Sequence, residues 1–572
     1  MSGGTQDAGT TVELDGGRAL ARALVAVGVE DLFGVPAGKL GPFLGAVAAE
    51  PRIRHLGTRH EAAAAWMAAA TFHATGRLAA CYGEMGPGAH NLVGGLGTAR
   101  ANGLAVLVLT SGVPTHLGPA ARGLTMAADV SGLMRATTKW SAVAGSPEQI
   151  PGLVRTAARE ATTGRPGPVY LELPADVLTT SFDVEPAELD ARPERDRPSP
   201  LAATDVERAA SLLAGADRPL LVAGGGVVLG DASAELRRLA ARLGAAATAT
   251  QMGLGTVSSA DPAFFGHGGL IGGEPVVRAL READVVLLAG SRVSSWLWEG
   301  SAPALGGPPD QRVIHLDVDP SAAAGALPHR TLVLAGDVRD GLASLLVALG
   351  DGPARADRSW LDSLVAAHEA HIAQLLEGAD DNVAPMHPAV LARELGDWLS
   401  DDALAVYDGG HTTFWSNDLT PALEPRTRFH DPGMAHLGFG LPYALALQVA
   451  HPGRTVVNVT GDGAFGFTLA ELDTARRHGL PVVTVIHDNA AWGVIRFGQA
   501  RAGFELDTAL EGADYAAVAR AFGCHGETVT KAAEIRPALD RALASGLPAV
   551  VDVQTRFVPH PALPRFAAMG RL

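Results

Sequence analysis

Short apolar runs along this chain alternate with stretches in which apolar residues recur every three or four positions, the pattern of buried parallel strands joined by helices. Runs at 31–35, 54–58, 78–82, 105–110 and 169–173 predict strands, with helical periodicity over 19–27 and through the alanine-rich segment after His60 and Glu61. A second series predicts strands at 218–223, 285–289 and 313–317, with a helix at 232–243. A third predicts strands at 403–407, 455–459, 482–486 and 549–553. The expected fold class is α/β, with three doubly wound parallel-sheet domains over residues 11–184, 201–350 and 385–556, and a C-terminal tail over 557–572. The proline- and charge-rich stretch 185–200 reads as a linker, as does 350–384, which contains a helical segment at 360–377. Residues 1–10 read as disordered.

Composition narrows the partners. The 572 residues carry a net charge of −16 and no long basic run, which argues against nucleic acid. No apolar run approaches the roughly 20 residues that span a bilayer, and the polar, glycine-rich start is unlike a secretory signal, so no membrane association and a cytoplasmic location are expected. Cys81 and Cys524 stand far apart without a CxxC pattern, which indicates neither a zinc site nor a disulfide framework.

Candidate chemistry concentrates between Thr460 and Gly493. The third-domain strand at 455–459 runs into Gly461-Asp462-Gly463, a helical face carries Leu469, Leu472 and Ala475, and Gly479-Leu480-Pro481 stops it before the strand that leads to Asn489. In a β-α-β unit the carboxyl ends of neighbouring parallel strands lie side by side, so Asp462 and Asn489 can reach one point. Glycines let backbone amides face an anion with no Cβ in the way, and two hard oxygen ligands beside them suit magnesium diphosphate. An ordinary glycine-rich loop is the other reading of these three residues.

Gly461-Asp462-Gly463 followed at this distance by Asn489 resembles the thiamine-diphosphate-binding motif, and nearly the whole chain resembles the acetolactate synthase, benzaldehyde lyase and 2-hydroxyacyl-CoA lyase branch of thiamine-diphosphate enzymes. The resemblance implies a pyrimidine-binding domain, a Rossmann-like middle domain and a diphosphate-binding domain. It implies that Asp462, the Asn489 side chain and the Ala491 carbonyl hold Mg2+, with Asp488-Asn489 where relatives carry Asn-Asn. Arg59-His60-Glu61-Ala62-Ala63 matches the segment carrying the acid that shares a proton with the cofactor's pyrimidine, which makes Glu61 that acid. Gly410, His411 and Thr412, after Asp408-Gly409, would be diphosphate contacts, although His411 also reads as a solvated loop histidine. Met434 and Leu437 would lie beneath the cofactor, Leu437 bending it while also filling core. Gly461, Gly463, Ala464, Phe465, Trp492, Gly493 and Val494 would complete its surroundings. A homodimer or homotetramer with active sites at the interface is implied. FAD or ADP at Ser291-Arg292 and Asp317-Val318-Asp319 in the middle domain, or an empty structural domain there, remain equal readings.

Departures from the branch bear on substrate. Thr125 and Met126 stand where the synthases carry Phe-Gln, and Gly498 falls where they carry a pocket-shaping Trp. Glu84-Met85-Gly86-Pro87-Gly88 replaces Thr-Ser-Gly-Pro-Gly, so Glu84 is either a proton-transfer residue or a solvated loop glutamate. Lys39 either meets a substrate carboxylate or phosphate or is solvated. The candidate catalytic set is therefore Glu61, Glu84, Lys39 and Met126. The expected activity is acetolactate synthase-like: C–C cleavage and formation on a 2-oxo acid, joining decarboxylation to carboligation with an aldehyde or ketone. The alternatives are a 2-hydroxyacyl-CoA or benzaldehyde-type lyase acting on 2-hydroxyacyl or aldehyde substrates, and a non-catalytic nucleotide-binding scaffold. A dehydrogenase rests on the middle-domain glycines alone.

Overall fold

The computed structural model describes residues 11–117, 124–192, 200–268, 271–292, 298–299, 302–303, 307–319, 321, 329–352 and 356–570. The disorder expected for residues 1–10 and the heart of the 185–200 linker lie outside them. The chain forms two compact units, Met1–Arg197 and Pro198–Leu572.

The first unit is built on six parallel strands in the spatial order Arg54–Gly57, Asp31–Gly34, Ala80–Gly83, Val106–Gly112, Pro168–Pro174 and Trp140–Val143. Numbered along the chain, that order is 2-1-3-4-6-5. Val106–Gly112 lies between two neighbours and is buried at every position, as its apolar run Val106–Leu109 demands. The helix Glu61–Thr75 is apolar on all sides and buried from Ala62 to Ala74. It packs on the helix Pro87–Asn102 closely enough that a Cβ on Gly95 would come within 2.6 Å of the Ala62 carbonyl oxygen.

The second unit holds two parallel sheets. The middle sheet orders Ala246–Ala249, Pro219–Ala223, Val285–Ala289, Arg312–Asp317 and Thr331–Ala335, a 2-1-3-4-5 arrangement. The C-terminal sheet orders Arg428–Phe429, Leu404–Tyr407, Val456–Gly461, Val483–Asp488, Ala549–Gln554 and His525–Val529, which repeats the 2-1-3-4-6-5 order of the first unit. The α/β class with three parallel sheets is thus the observed one. The helix Arg358–Leu375, expected inside a linker, instead buries Trp360, Leu361 and Leu364 in one cluster with Val286 and Leu288 of the middle sheet. Among the described residues no helix is long and apolar enough to cross a membrane.

Parallel pairing levels the carboxyl ends of the C-terminal strands. Gly461 pairs with His487, and the Asp408 amide donates to the Val459 carbonyl at 2.8 Å. The loops leaving Leu404–Tyr407 and Val456–Gly461 diverge, because the chain continues to opposite sides of the sheet, and the crevice between them is where such folds bind ligands.

Candidate cofactor and active site

That crevice holds a cavity of about 290 Å³. Its floor comes from the turn after Leu404–Tyr407. Gly409 takes φ of +90°, a backbone few side chains tolerate, and the helix Gly410–Leu419 follows. Opposite stands the turn after Val456–Gly461, where the helix Asp462–Gly466 begins. The glycines here are close-approach positions. A Cβ would stand 2.8 Å from Val494 Cγ2 at Gly410 and 2.6 Å from the Trp492 ring at Gly463.

Asp462 is 4% exposed, and its Oδ2 accepts the Ala491 N–H at 3.2 Å. Ala491 follows a turn that puts Ala490 at φ of +50°. Asn489 Nδ2 lies 3.1 Å from His411 Nδ1, and His411 Nε2 lies 2.8 Å from the Val558 carbonyl oxygen and 3.2 Å from Trp415 Nε1. A carbonyl oxygen only accepts, so the shorter contact, to Val558, puts the ring proton on Nε2 and turns the Asn489 amide nitrogen toward Nδ1. It leaves Asn489 Oδ1 buried without a partner. Burial, then the nearby Asp488 charge, pushes the Asp462 carboxyl well above the usual range, and burial with Asp488 pushes Asp552 up to about 7. An orphaned amide oxygen, a buried carboxylate and a glycine-lined wall fit a divalent cation carrying a diphosphate. Asp462, Asn489 and Ala491 are the residues present to hold it.

Asp408 has a positional role not assigned from sequence. Fully buried, it accepts backbone N–H groups of Gly438 (3.1 Å) and Gly440 (3.0 Å), and burial outweighs these donors to push it up to about 7. It thereby pins the segment that brings Leu437 to the cavity wall. Asp431 accepts the Met434 and His436 amides and holds the other end.

Of the expected cofactor residues, Gly410, His411, Thr412, Leu437, Gly461, Gly463, Ala464, Trp492, Gly493 and Val494 line the cavity, together with Asp462, Asn489 and Ala491. Met434 does not, and is 51% exposed; Phe465 is buried beside Tyr515, ring centroids 5.7 Å apart. The solvated-loop reading of His411 does not apply, since the residue is buried. Gln251, His430, His487 and Phe566 also line the cavity. Phe566 arrives on the helix Leu563–Gly570, packed on Phe414, so the stretch expected as a tail forms part of the wall.

The first unit gathers the remaining candidates at its sheet's carboxyl edge. His60 caps the helix Glu61–Thr75 by accepting the Ala62 amide, and Glu61 Oε2 accepts the Asn91 side-chain amide at 2.9 Å. Glu84 Oε2 accepts the Lys39 N–H at 3.0 Å, and its Oε1 accepts the Met85 N–H at 3.1 Å and the Ser111 hydroxyl. Burial alone would raise the Glu84 carboxyl; these donors and the Lys39 charge hold it below the usual range. Lys39 Nζ lies 4.0 Å from Glu84 Oε1 and 3.7 Å from the Met126 sulfur. In the middle sheet, Gly224 and Gly226 pack directly against Gly290, while much of the loop after Ser291-Arg292 lies outside the described residues.

The sequence matches known families in three stretches. Residues 14–133 match the thiamine pyrophosphate enzyme N-terminal TPP binding domain, 206–345 its central domain and 408–553 its C-terminal TPP binding domain. A probable acetolactate synthase large subunit of Methanocaldococcus jannaschii is 31% identical, with 98% of this chain and 94% of that protein covered. The acetolactate synthase isozyme 2 large subunit of Escherichia coli is 32% identical over 94% of this chain and 95% of its own length. The acetolactate synthase large subunit of Corynebacterium glutamicum is 30% identical over 94% and 86%. With this similarity running through all three sheets, the chain belongs to the thiamine pyrophosphate enzymes, in the branch of the acetolactate synthase large subunits.

Proposed function

We propose that this enzyme uses thiamine diphosphate and Mg2+ to decarboxylate a 2-oxo acid and join the remaining acyl unit to an aldehyde or ketone. The observation that carries the reading is the glycine-lined cradle in which Asn489 Oδ1 is buried without a partner beside Asp462. When bound, the cofactor supplies an acidic carbon that becomes a nucleophile and an acceptor for the electron pair released as a bond beside the carbonyl breaks.

The chain's own residues do the rest. Backbone N–H groups opening the helix Gly410–Leu419, with Thr412, would hold the diphosphate by donating to it, and His411 would keep the Asn489 oxygen turned toward the cation. Leu437, fixed through Asp408, supports the cofactor from below. Glu61, its carboxyl oriented by Asn91, would share a proton with the pyrimidine ring nitrogen. The Glu61 sheet and the cradle of a second subunit complete each site in a homodimer or homotetramer, acting in the cytoplasm. FAD or ADP, where carried, would sit at Ser291-Arg292 and Asp317-Val318-Asp319, the carboxyl edge of the middle sheet.

Titration of thiamine diphosphate and Mg2+, followed through the fluorescence of Trp492 on the cradle wall, then assay of CO2 release and acyloin formation from 2-oxo acids, tests the reading. Binding that needs both components, followed by CO2 release, supports it. Binding without CO2 release overturns it. Met126 and Gly498, where the synthases carry Gln and Trp, favour a second reading, an acyloin or 2-hydroxyacyl-CoA lyase, which cleavage of such a substrate without CO2 would reveal.

A further inference from the structure

The two six-stranded sheets share one strand order, so each has its crevice in the corresponding place, between the first and third strands along the chain. In the C-terminal sheet that place is the cofactor cradle. In the first unit the same two strand ends carry Gly38-Lys39 and Glu84.

Glu84 is only 17% exposed in its side chain, and its two oxygens are engaged by the Lys39 and Met85 amides and the Ser111 hydroxyl. Held as an anion and engaged at both oxygens, it serves as a counter-charge for Lys39. The Lys39 ammonium faces it at 4.0 Å, the outer limit of an ion pair, and its other neighbour is the Met126 thioether at 3.7 Å, a weak acceptor. Strong donors on Lys39 are left unspent, on a side chain 32% exposed. Met126 holds a strained backbone at φ of +68°, over a Gly86 at φ of +72° whose Cβ would strike the Met126 carbonyl oxygen at 2.4 Å. Strain kept in place beside an anchored charge is a feature of ligand clamps.

We propose that Lys39, positioned by Glu84, is the point at which the enzyme takes the carboxylate of its 2-oxo acid substrate. The inference rests on the proposed reaction for the identity of the acid. A carboxylate at Lys39 spends the free donors in charge-assisted hydrogen bonds, while a neutral carbonyl substrate gains nothing there. Lys39 thereby selects 2-oxo acids over aldehydes, and Glu84 acts through Lys39.

The test uses enzyme loaded with thiamine diphosphate and Mg2+ and, as probe, oxamate, an inert isostere of a small 2-oxo acid, measured calorimetrically beside uncharged propanamide. Loss of a charge-assisted contact predicts that Lys39→Met weakens oxamate about 10- to 100-fold, with propanamide and thiamine diphosphate unaffected. Lys39→Arg, which keeps the charge, stays within a few-fold and guards against a fold defect. Glu84→Gln raises KM for the 2-oxo acid more than it lowers kcat, a split that general loss of structure does not produce. Oxamate binding equally well to wild type and Lys39→Met, or no tighter than propanamide to wild type, overturns the inference. So does an unchanged KM in Lys39→Met, even as CO2 release upholds the proposed reaction. Oxamate binding that depends on Lys39 in an enzyme turning over no 2-oxo acid refutes the reaction while the carboxylate site stands.

Discussion

Gly463 and Asn489 show at the residue scale how little the cradle tolerates. A methyl group on Gly463 meets the Trp492 ring at 2.6 Å, so Gly463→Ala must push aside the wall that faces the cofactor. Overpacking costs about 1–3 kcal/mol. Thiamine diphosphate affinity should accordingly fall roughly 5- to 150-fold in Gly463→Ala, read by calorimetric titration. Asn489 tests the metal. Its Oδ1 is buried without a partner, and its Nδ2 faces the His411 ring. In Asn489→Ala the cofactor should bind in Mg2+ little better than in EDTA, whereas an undiminished Mg2+ effect would assign the cation to other ligands. The spacing of Asp462 and Asn489 made this pair legible from sequence, because a β-α-β unit fixes where both strands end. Asp408 and Phe566 were not legible in their roles. Asp408 acts through backbone amides 30 and 32 positions away, and Phe566 reaches the cavity through packing of a helix that no motif marks.

At the scale of elements, the segment from Gly433 to Gly440 is held at one end by Asp431 and at the other by Asp408. Asp408→Ala would strand the buried N–H groups of Gly438 and Gly440, each costing about 1–3 kcal/mol, whereas Asp408→Asn keeps an acceptor for one of them. Denaturant titration should rank stability as wild type, then Asn, then Ala, with cofactor affinity falling in the same order as Leu437 loses its support. Equal stability in all three would mean that the segment is held elsewhere. Strands sort the same way by what their neighbours demand. The central strands announced themselves as apolar runs because they are covered on both sides. Trp140–Val143, Thr331–Ala335 and His525–Val529 did not, since each lies at a sheet edge and keeps half-exposed or exposed positions. Ala246–Ala249, another edge strand, is buried but built of alanine and threonine, which carries little strand signature. The helix Arg358–Leu375 was legible as a helix, while its docking on the middle sheet was not, because amphipathic spacing says which face is buried and not against what.

On the scale of the whole molecule, the second unit carries buried neutral histidines that make it sensitive to acid. His267 sits against Phe264 (4.9 Å between centroids), and His560 against Trp415 (4.7 Å) and Phe414 (5.5 Å). Burial pulls His267 down to about 4 and His560 down to about 3, against the opposing charge of Asp418; His368 helps lower the first, and His411, His371 and Arg565 the second. An unfolded histidine titrates near 6.5, so below that pH the unfolded chain binds protons that the folded one refuses, and stability falls as pH drops. The loss begins near pH 6.5 and is complete only below the folded values, on the order of 3–5 kcal/mol for each residue at that limit. Asp418 works in a separate window. Burial raises its carboxyl, but the His371 hydrogen bond and the surrounding histidines hold it below its ordinary value, so its contribution is present above about pH 4 and is lost further down. Unfolding free energy measured between pH 7 and 4.5 should therefore decline steeply in wild type. It should decline less in His267→Phe and His560→Phe, and least in the double variant, since neither ring then has a proton to refuse. A slope unchanged by both substitutions would place the acid sensitivity of this enzyme in other groups.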